Sequence, residues 1–353
     1  MTLLYMDSFD YLPAAGTTIN GSLLFPMNYY NVTDGFRTIA GAFGGLGIEL
    51  WGGGVYYTNY YLDLMPPSIA SGISDETVIG MRMAWGGWGT NCSFGIMNSG
   101  DGFAKFGIAC SSYGELLLIK SDGTVLARSA PGAIVMFAWN YIDIKFTISG
   151  AGTGRVRVRI NTDLVIDYTG TLSPAGASTW NVMRWYAHGE SPNMRWDDLY
   201  VLTTTGTEAN DYLGNVRVRL QNPSGPGDIT QLTPTGAATN WQAQINPSLS
   251  TGIYDSTATV GNYDLYALQA NAAARNIYGV QVRGTFLQDN ATQLKGSFIM
   301  KTGGVEYESP HFSLSSGYDT YYGIWSSNPH TAVPWTNSDL NALQAGPKLA
   351  ESA

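Results

Sequence analysis

Charge is scarce in this chain. Of its 353 residues only 18 are Lys or Arg and 27 are Asp or Glu, a charged fraction of 13%, where an ordinary domain carries about 25%. Solubility must then rest on Gly, Ser, Thr, Asn and Tyr, a surface that suits β-rich extracellular or particle proteins. The formal net charge of -9 leaves no basic surplus, and a hold on nucleic acid or an anionic membrane needs clustered Lys and Arg. The one Arg-rich tract, RVRVRI from Arg155 to Ile160, alternates with valine and reads as the solvated face of a strand. Long apolar runs are missing too. None approaches the roughly 18 residues of a membrane-spanning helix, and MTLLYMDSFD lacks the basic start and apolar core of a secretory signal.

Chemistry-bearing motifs are equally sparse. His188, His311 and His330 lie far apart, and none is followed by a second His or Cys at metal-ligand spacing. No G-x-S-x-G nucleophile elbow and no glycine-rich loop ending in GK[ST] occurs. A glycosidase needs two carboxylates about 5 to 9.5 Å apart, yet no E-x-D-x-x-E strand is present. Asp75-Glu76 and Asp197-Asp198 alternate faces or sit at predicted strand ends, and Glu306 with Glu308 shares a face that reads as a solvated edge. These absences lead to the expectation that the chain is not an enzyme.

What the chain has in abundance is turn and strand formers, 43 Gly and 22 Tyr. Short apolar or alternating runs separated by turn clusters recur from Ser22 to Tyr186, the spacing of a sandwich. In YIDIKFTIS, Ile142, Ile144, Phe146 and Ile148 share one face while Asp143, Lys145 and Thr147 share the other. RVRVRINTDLVIDY predicts a hairpin turned at Asn161, Thr162 and Asp163. After the threonine-rich stretch Thr203 to Thr207, alternation resumes at Val216, Val218 and Leu220. Further strands are predicted at 277–287, 293–301, 306–310 and 318–325, the last two on opposite sides of a turn. LYALQANAAARN, Leu265 to Asn276, lacks β-branched residues and predicts one or two helical turns. The fold expectation is all-β: a jelly-roll sandwich over 1–205, a linker at 206–213, a second β-sandwich over 214–339 and a tail at 340–353 that frays or anchors to a neighbour.

The junction carries a resemblance. D-D-x-Y-V at Asp197 to Val201, a threonine and glycine linker, then N-D-x-L-G-x-x-R-V at Asn210 to Val218, resembles structural proteins of tailed bacteriophage particles in which a lectin-like jelly roll precedes a second β-domain. YMDSFDYL at Tyr5 to Leu12 is similar to their opening strand. The closing stretch from Val305 to Gly346 resembles theirs more loosely; in its D-P-x-T-G-x-x-W-T segment this chain has Asn328 for the Asp and Ala332 for the Gly. The resemblance implies a virion structural protein, such as a capsid decoration, spike, fibre or tail-associated protein, assembled in the host cytoplasm. Its partners would be other virion proteins and copies of itself, with a trimer one option, and possible contact with host-surface glycan. It also implies that the last strand of the first module, around Leu199 to Leu202, returns beside the first, around Leu4 to Phe9. Cys92 and Cys110 flank a hairpin turned at Asn98 to Gly102, which brings the thiols together on adjacent strands; cytoplasmic assembly favours reduced, buried thiols, with a bridge the alternative.

Two constellations could bind something. Trp85 and Trp88 surround Gly86-Gly87, and Trp51 and Tyr57 lie by another glycine loop; aromatic rings in loops can stack on sugar faces, while packing is the plainer reading. A glycan-binding lectin module is therefore the alternative function, with a glycan depolymerase after it. Asp7, Asp10, Asp197 and Asp198 converge if the first and last strands pair, and such a cluster can hold calcium; turn capping by Asp is the plainer reading.

Overall fold

The computed structural model describes residues 2–19, 29–30, 36–50, 59–86, 92–99, 105–120, 122–149, 153–172, 178–188, 193–206, 210–245, 252–270, 276–289 and 293–352. They fall into two compact units, Met1–Arg219 and Leu220–Ala353.

Among the described residues the first unit holds sixteen strands. They are β1 Thr2–Asp7, β2 Thr18–Ile19, β3 Tyr29–Tyr30, β4 Phe36–Ala40, β5 Leu46–Leu50, β6 Asn59–Leu64, β7 Thr77–Trp85 and β8 Cys92–Met97, then β9 Phe106–Cys110, β10 Leu116–Ile119, β11 Val125–Arg128, β12 Asn140–Ile148, β13 Thr153–Ile160, β14 Asp163–Thr171, β15 Val182–His188 and β16 Met194–Thr203. One antiparallel sheet runs β14-β13-β12-β7-β16-β5-β4-β2 with β1 also on β16, and the other runs β11-β10-β9-β8-β15-β6-β3. The predicted return of the last strand is observed, with Leu3 opposite Leu202, Tyr5 opposite Val201 and Asp7 opposite Leu199.

Alternation decides which side chains meet between the sheets. Ile142, Ile144 and Phe146 of β12 point inward and are buried, and Phe146 meets Phe106 of β9 edge-on with centroids 5.1 Å apart. Trp196 of β16 stacks on Trp185 of β15 at 5.0 Å. Each fully buried side chain of this size contributes ~2–3 kcal/mol of transfer free energy, so these aromatics make the sandwich the low-energy arrangement. Cys110, on the same layer, is a free buried thiol whose pKa burial pushes up to about 12. The side chain of Cys92 lies outside the described residues.

The other face of the nine-stranded sheet departs from expectation. Asp143, Lys145 and Thr147 were placed by alternation on the face opposite the apolar one, yet Asp143 and Lys145 are buried, as is Tyr141 beside them, and Thr147 is half-buried. The cover is the chain's own segment 211–218, predicted as part linker and part strand. Asp211 accepts from Lys145 at 3.2 Å, the Tyr212 ring lies 3.9 Å under the Arg159 guanidinium, and Leu213 N–H donates to the Tyr200 hydroxyl at 3.2 Å. Arg82 donates to Asn215, and Val218 N–H donates to Asp198 at 2.8 Å. Residues 215–220 form no strand. Their alternation mimics one, but their polar partners are side chains of the sheet below, so the segment is a strap.

The second unit comprises β17 Pro223–Thr230, β18 Thr233–Thr235, α1 Asn240–Gln244, β19 Tyr254–Ser256, β20 Asp264–Leu268, β21 Val280–Phe286, β22 Leu294–Thr302, β23 Val305–Glu308, β24 Phe312–Ser313, β25 Asp319–Trp325, α2 Asn337–Asn341 and β26 Gln344–Ser352. Its main sheet runs β17-β20-β26-β22-β23, with β24 on β22; β21 pairs β25 and β18 pairs β19. Met300, Trp335, Leu340 and Leu343 form its core, with Leu268, Ile277, Val280 and Trp325 packed against them.

Three expectations fail here, each because tertiary pairing outweighs local preference. Leu265 and Tyr266 lie in a strand held between β17 and β26, where helical turns were expected; residues 271–275 of that stretch lie outside the described residues. The expected tail is β26, an interior strand with Ala345 and Leu349 buried. Its Gly346 is required, because a Cβ there would collide with the Asp264 carbonyl oxygen. Finally, β23 and β25 do not flank one turn as partners: β23 pairs β22, and β25 pairs β21.

Candidate functional site

The four aspartates do gather around the start of the chain and the last strand of the first unit, and each is spent on a donor. Asp7 accepts from Phe9 N–H at 2.9 Å and from the hydroxyls of Tyr5 at 2.7 Å and Tyr11 at 2.9 Å. Asp10 accepts from Leu46 N–H at 2.7 Å, and Asp197 accepts from Ala42 N–H and Asp198 N–H, both at 2.8 Å. Asp198 sits in a left-handed conformation, φ 54°, at an irregularity in the β16–β7 register, with Arg82 3.3 Å from its second oxygen. Burial pushes both Asp197 and Asp198 up from the ordinary carboxylate range; for Asp197 the neighbouring Asp198 charge adds to this, and for Asp198 the Val218 N–H and Arg82 oppose it. Among the described residues no group of three or more His, Cys, Asp or Glu is arranged to hold a metal ion. Through these bonds the carboxylates clamp turns and a bulge.

Next to it, beneath the strap, Tyr200 donates to Asp143 at 2.7 Å, and burial lifts Asp143 to about 6. Several arginines on this face meet carboxylates. Arg155 meets Asp167 and Arg157 meets Glu76, while Glu49, fully buried, takes Arg37 and Arg195.

The aromatic candidates divide. Trp85 is 1% exposed, because it is the last residue of β7 and turns into the sandwich; it is corrected from a stacking residue to a core residue. Trp51, Tyr57 and Trp88 lie outside the described residues. The register of the described strands shows which of them end together. Met194 is opposite both Leu50 and Trp85, so β5 and β7 end side by side where β16 begins. On the other sheet Ala187 is opposite Cys92 and His188 opposite Asn59. The turn joining β9 to β10 and the loop 129–139 close the same end, as the 2.8 Å hydrogen bond from Phe137 N–H to the Trp85 carbonyl shows.

That end carries exposed aromatics missed in the sequence. Tyr113 is 76% exposed, Phe137 66% and Val135 59%. They stand on two loops tied together by Gly132 N–H to the Tyr113 carbonyl and Ile134 N–H to the Gly114 carbonyl, both 2.9 Å. Gly114 adopts φ +68°, and a Cβ on it would lie 2.7 Å from the Ile134 carbonyl oxygen, so glycine permits the close approach. Ser111 braces the first loop, accepting from Tyr113 N–H and Glu115 N–H at 3.2 Å. Asn140, 1% exposed, braces the second, accepting from Val135 N–H at 3.1 Å and donating to the Val135 and Ala138 carbonyls at 2.9 Å. Phe137 itself is held at φ 61°, a conformation that costs a non-glycine residue ~1–2 kcal/mol. Strain of this kind is retained where surrounding structure fixes it, commonly at binding sites. The signal in the sequence was Ile134 to Trp139: an apolar run directly after Pro131-Gly132, without alternation, in a loop.

No protein-family model and no curated protein sequence matches the chain. Solved structures do resemble it in part. An endo-β-1,4-glucuronan lyase from the fungus Trichoderma reesei matches at 10% identity and a TM-score of 0.37, over 57% of this chain and 96% of the lyase. The carbohydrate esterase vb_24B_21 of the Shiga toxin-encoding bacteriophage phi24B matches at 14% identity and 0.36, over 56% and 98%. The alginate lyase Aly36B, in complex with alginate trisaccharide, matches at 11% and 0.37, over 56% and 96%. What is shared is the all-β layered architecture. One expectation is overturned. These neighbours are enzymes, and the reading of the chain as a non-enzymatic building block is withdrawn.

Proposed function

We propose that this chain is a glycan-directed β-sandwich protein of a tailed-phage particle, whose first unit turns its aromatic loop end toward host-surface carbohydrate. The observation that supports this most is the pair Tyr113 and Phe137: two large rings exposed to solvent on loops that are hydrogen-bonded to each other and braced by buried polar side chains. An aromatic ring offers an apolar plane to the C–H face of a pyranose and a polar rim to its hydroxyls, and a braced loop loses little freedom on binding. The particle setting rests on the junction and strand patches quoted above and on the charge-poor surface; other virion proteins and copies of the chain itself are its expected partners, as trimers or as units on a symmetric shell.

The test is a glycan array probed with the purified chain and with Phe137→Ala and Tyr113→Ala. Loss of one stacking ring removes about 1 kcal/mol, so affinity should fall about fivefold for each change while the melting temperature holds. Unchanged binding in both variants removes this end from the function.

A further inference from the structure

We infer that the face of the nine-stranded sheet beneath the strap is a binding site for a carboxylated sugar unit of an acidic glycan, and that the strap, residues 211–218, occupies it as a displaceable stand-in for that ligand. This site is separate from the loop end and does not rest on it. Strand register assembles it. Asp143 and Lys145 of β12 lie opposite Arg159 and Arg157 of β13, and Gly80 of β7 lies opposite both Asp143 and Tyr200. A Cβ at Gly80 would collide with the Tyr200 ring and the Tyr141 hydroxyl, so glycine lets both phenols lie over β7 beside Asp143. Onto this face the strap sets an acid, a flat ring and a neutral oxygen. The Asp211 carboxylate meets Lys145 at 3.2 Å, the Tyr212 ring meets the Arg159 guanidinium at 3.9 Å, and the Asn215 amide oxygen meets Arg82. The acid completes a charge balance. Lys145 and Arg157 share Glu76, at 3.1 and 2.8 Å, and Arg159 has Asp143 across the register. Asp211 supplies the remaining negative charge, and with the strap lifted the face calls for a carboxylate from elsewhere.

Beyond its acid the strap fits poorly. The Tyr141 hydroxyl, Asp143 Oδ2, Arg157 Nε and Arg159 Nε are buried without a hydrogen-bond partner, and Tyr141 is 0% and Asp143 1% exposed. Buried polar atoms left in this way carry a free-energy cost for as long as the strap is seated. Donors and an acceptor stand side by side here. Sugar hydroxyls both donate and accept and so meet such a mixture, whereas the strap's ring and its backbone groups leave it unmet. Asp143 and Lys145 are two residues apart on one face, about 7 Å along the strand, the reach from the carboxylate of a pyranuronate to the hydroxyls across its ring. The strap is also lightly seated. None of residues 211–218 is buried, they form no strand, and the N–H groups of Leu213 and Val218 bond to side chains of the sheet. A segment held in this way opens at low free energy.

Calorimetric titration of the intact chain with oligosaccharides of glucuronate, galacturonate and mannuronate, each beside its carboxyl-reduced form, tests the site, with amide exchange followed at Leu213 and Val218. At least one uronate chain should bind about tenfold or more tighter than its reduced partner and should speed exchange at both amides as it displaces the strap. An Asp211→Asn, Tyr212→Ala double variant, which lacks the stand-in groups, should bind that chain about fivefold tighter than the parent does. Tyr141→Phe takes away a hydroxyl that has no partner in the closed chain, so it should leave the melting temperature in place and weaken binding about fivefold. Equal binding of acidic and reduced forms, exchange unchanged at saturation, affinity unmoved in both variants, or no uronate bound even by the double variant overturns the inference. Capture of a synthetic peptide of residues 210–219 by the double variant, with no uronate bound, also overturns it and makes the face a seat for the strap of a second copy.

Discussion

Buried carboxylates set the acid response of the first unit. Asp143 sits at about 6 because burial opposes its ionised form, although Tyr200 donates to it and Arg159 attracts it. Its ordinary value is 3.8, so below that the group is protonated folded or unfolded and carries no penalty. As pH rises through about 6 the folded state must hold a charge it disfavours, at a cost on the order of 3 kcal/mol. Asp197 and Asp198 shift the same way. Denaturant midpoints should therefore rise on acidification from neutral pH to pH ~5, and Asp143→Asn should flatten that rise; a midpoint that falls over this interval would contradict the assignment. A second residue-scale expectation concerns Ala332, held at φ 55° where the resembling segment has Gly. Ala332→Gly relieves ~1–2 kcal/mol of left-handed strain against a ~0.5–1 kcal/mol gain in unfolded-state freedom, so thermal unfolding of the second unit should shift slightly upward.

At the scale of elements, the strap and β26 are where sequence and structure part. Alternation was a sound guide wherever both partners were strands, as in β12, β13 and the return of β16 beside β1. It misled at Val216 to Leu220, since the pattern shows periodicity but not what the backbone bonds to, and Val218 donates to a side chain. It was silent at QAGPKLAES, where Gly and Pro conceal a strand whose reason for being is the neighbour on each side, with Gly346 admitting the Asp264 carbonyl. Gly346→Val should consequently destabilise the second unit by more than ~3 kcal/mol, measured by chemical unfolding. Tyr212→Ala, which removes the ring beneath Arg159, should cost about 1 kcal/mol and speed amide exchange at Leu213 and Val218; protection as in the parent chain would deny the strap its role.

Across the whole molecule, the architecture was legible and the site only half so. Two layered-sheet units follow from turn spacing and period-2 runs. Trp85 was drawn to attention by its flanking glycines, but glycine beside an aromatic does not say whether the ring turns inward, and this one does. Tyr113 and Phe137 were passed over because exposure depends on how loops from distant strands are tied at one end, through Asn140, Ser111 and the Gly132 to Tyr113 bond. The pairing of first and last strands was legible, whereas the occupation of the aspartates by backbone donors is visible only in three dimensions. The most direct trial of the central claim is an equilibrium titration of the parent chain and of the Tyr113→Ala, Phe137→Ala double variant with a polysaccharide identified on the array. The account predicts saturable binding by the parent and at least about a twentyfold loss in the variant with folding intact; equal affinity for both proteins would contradict it.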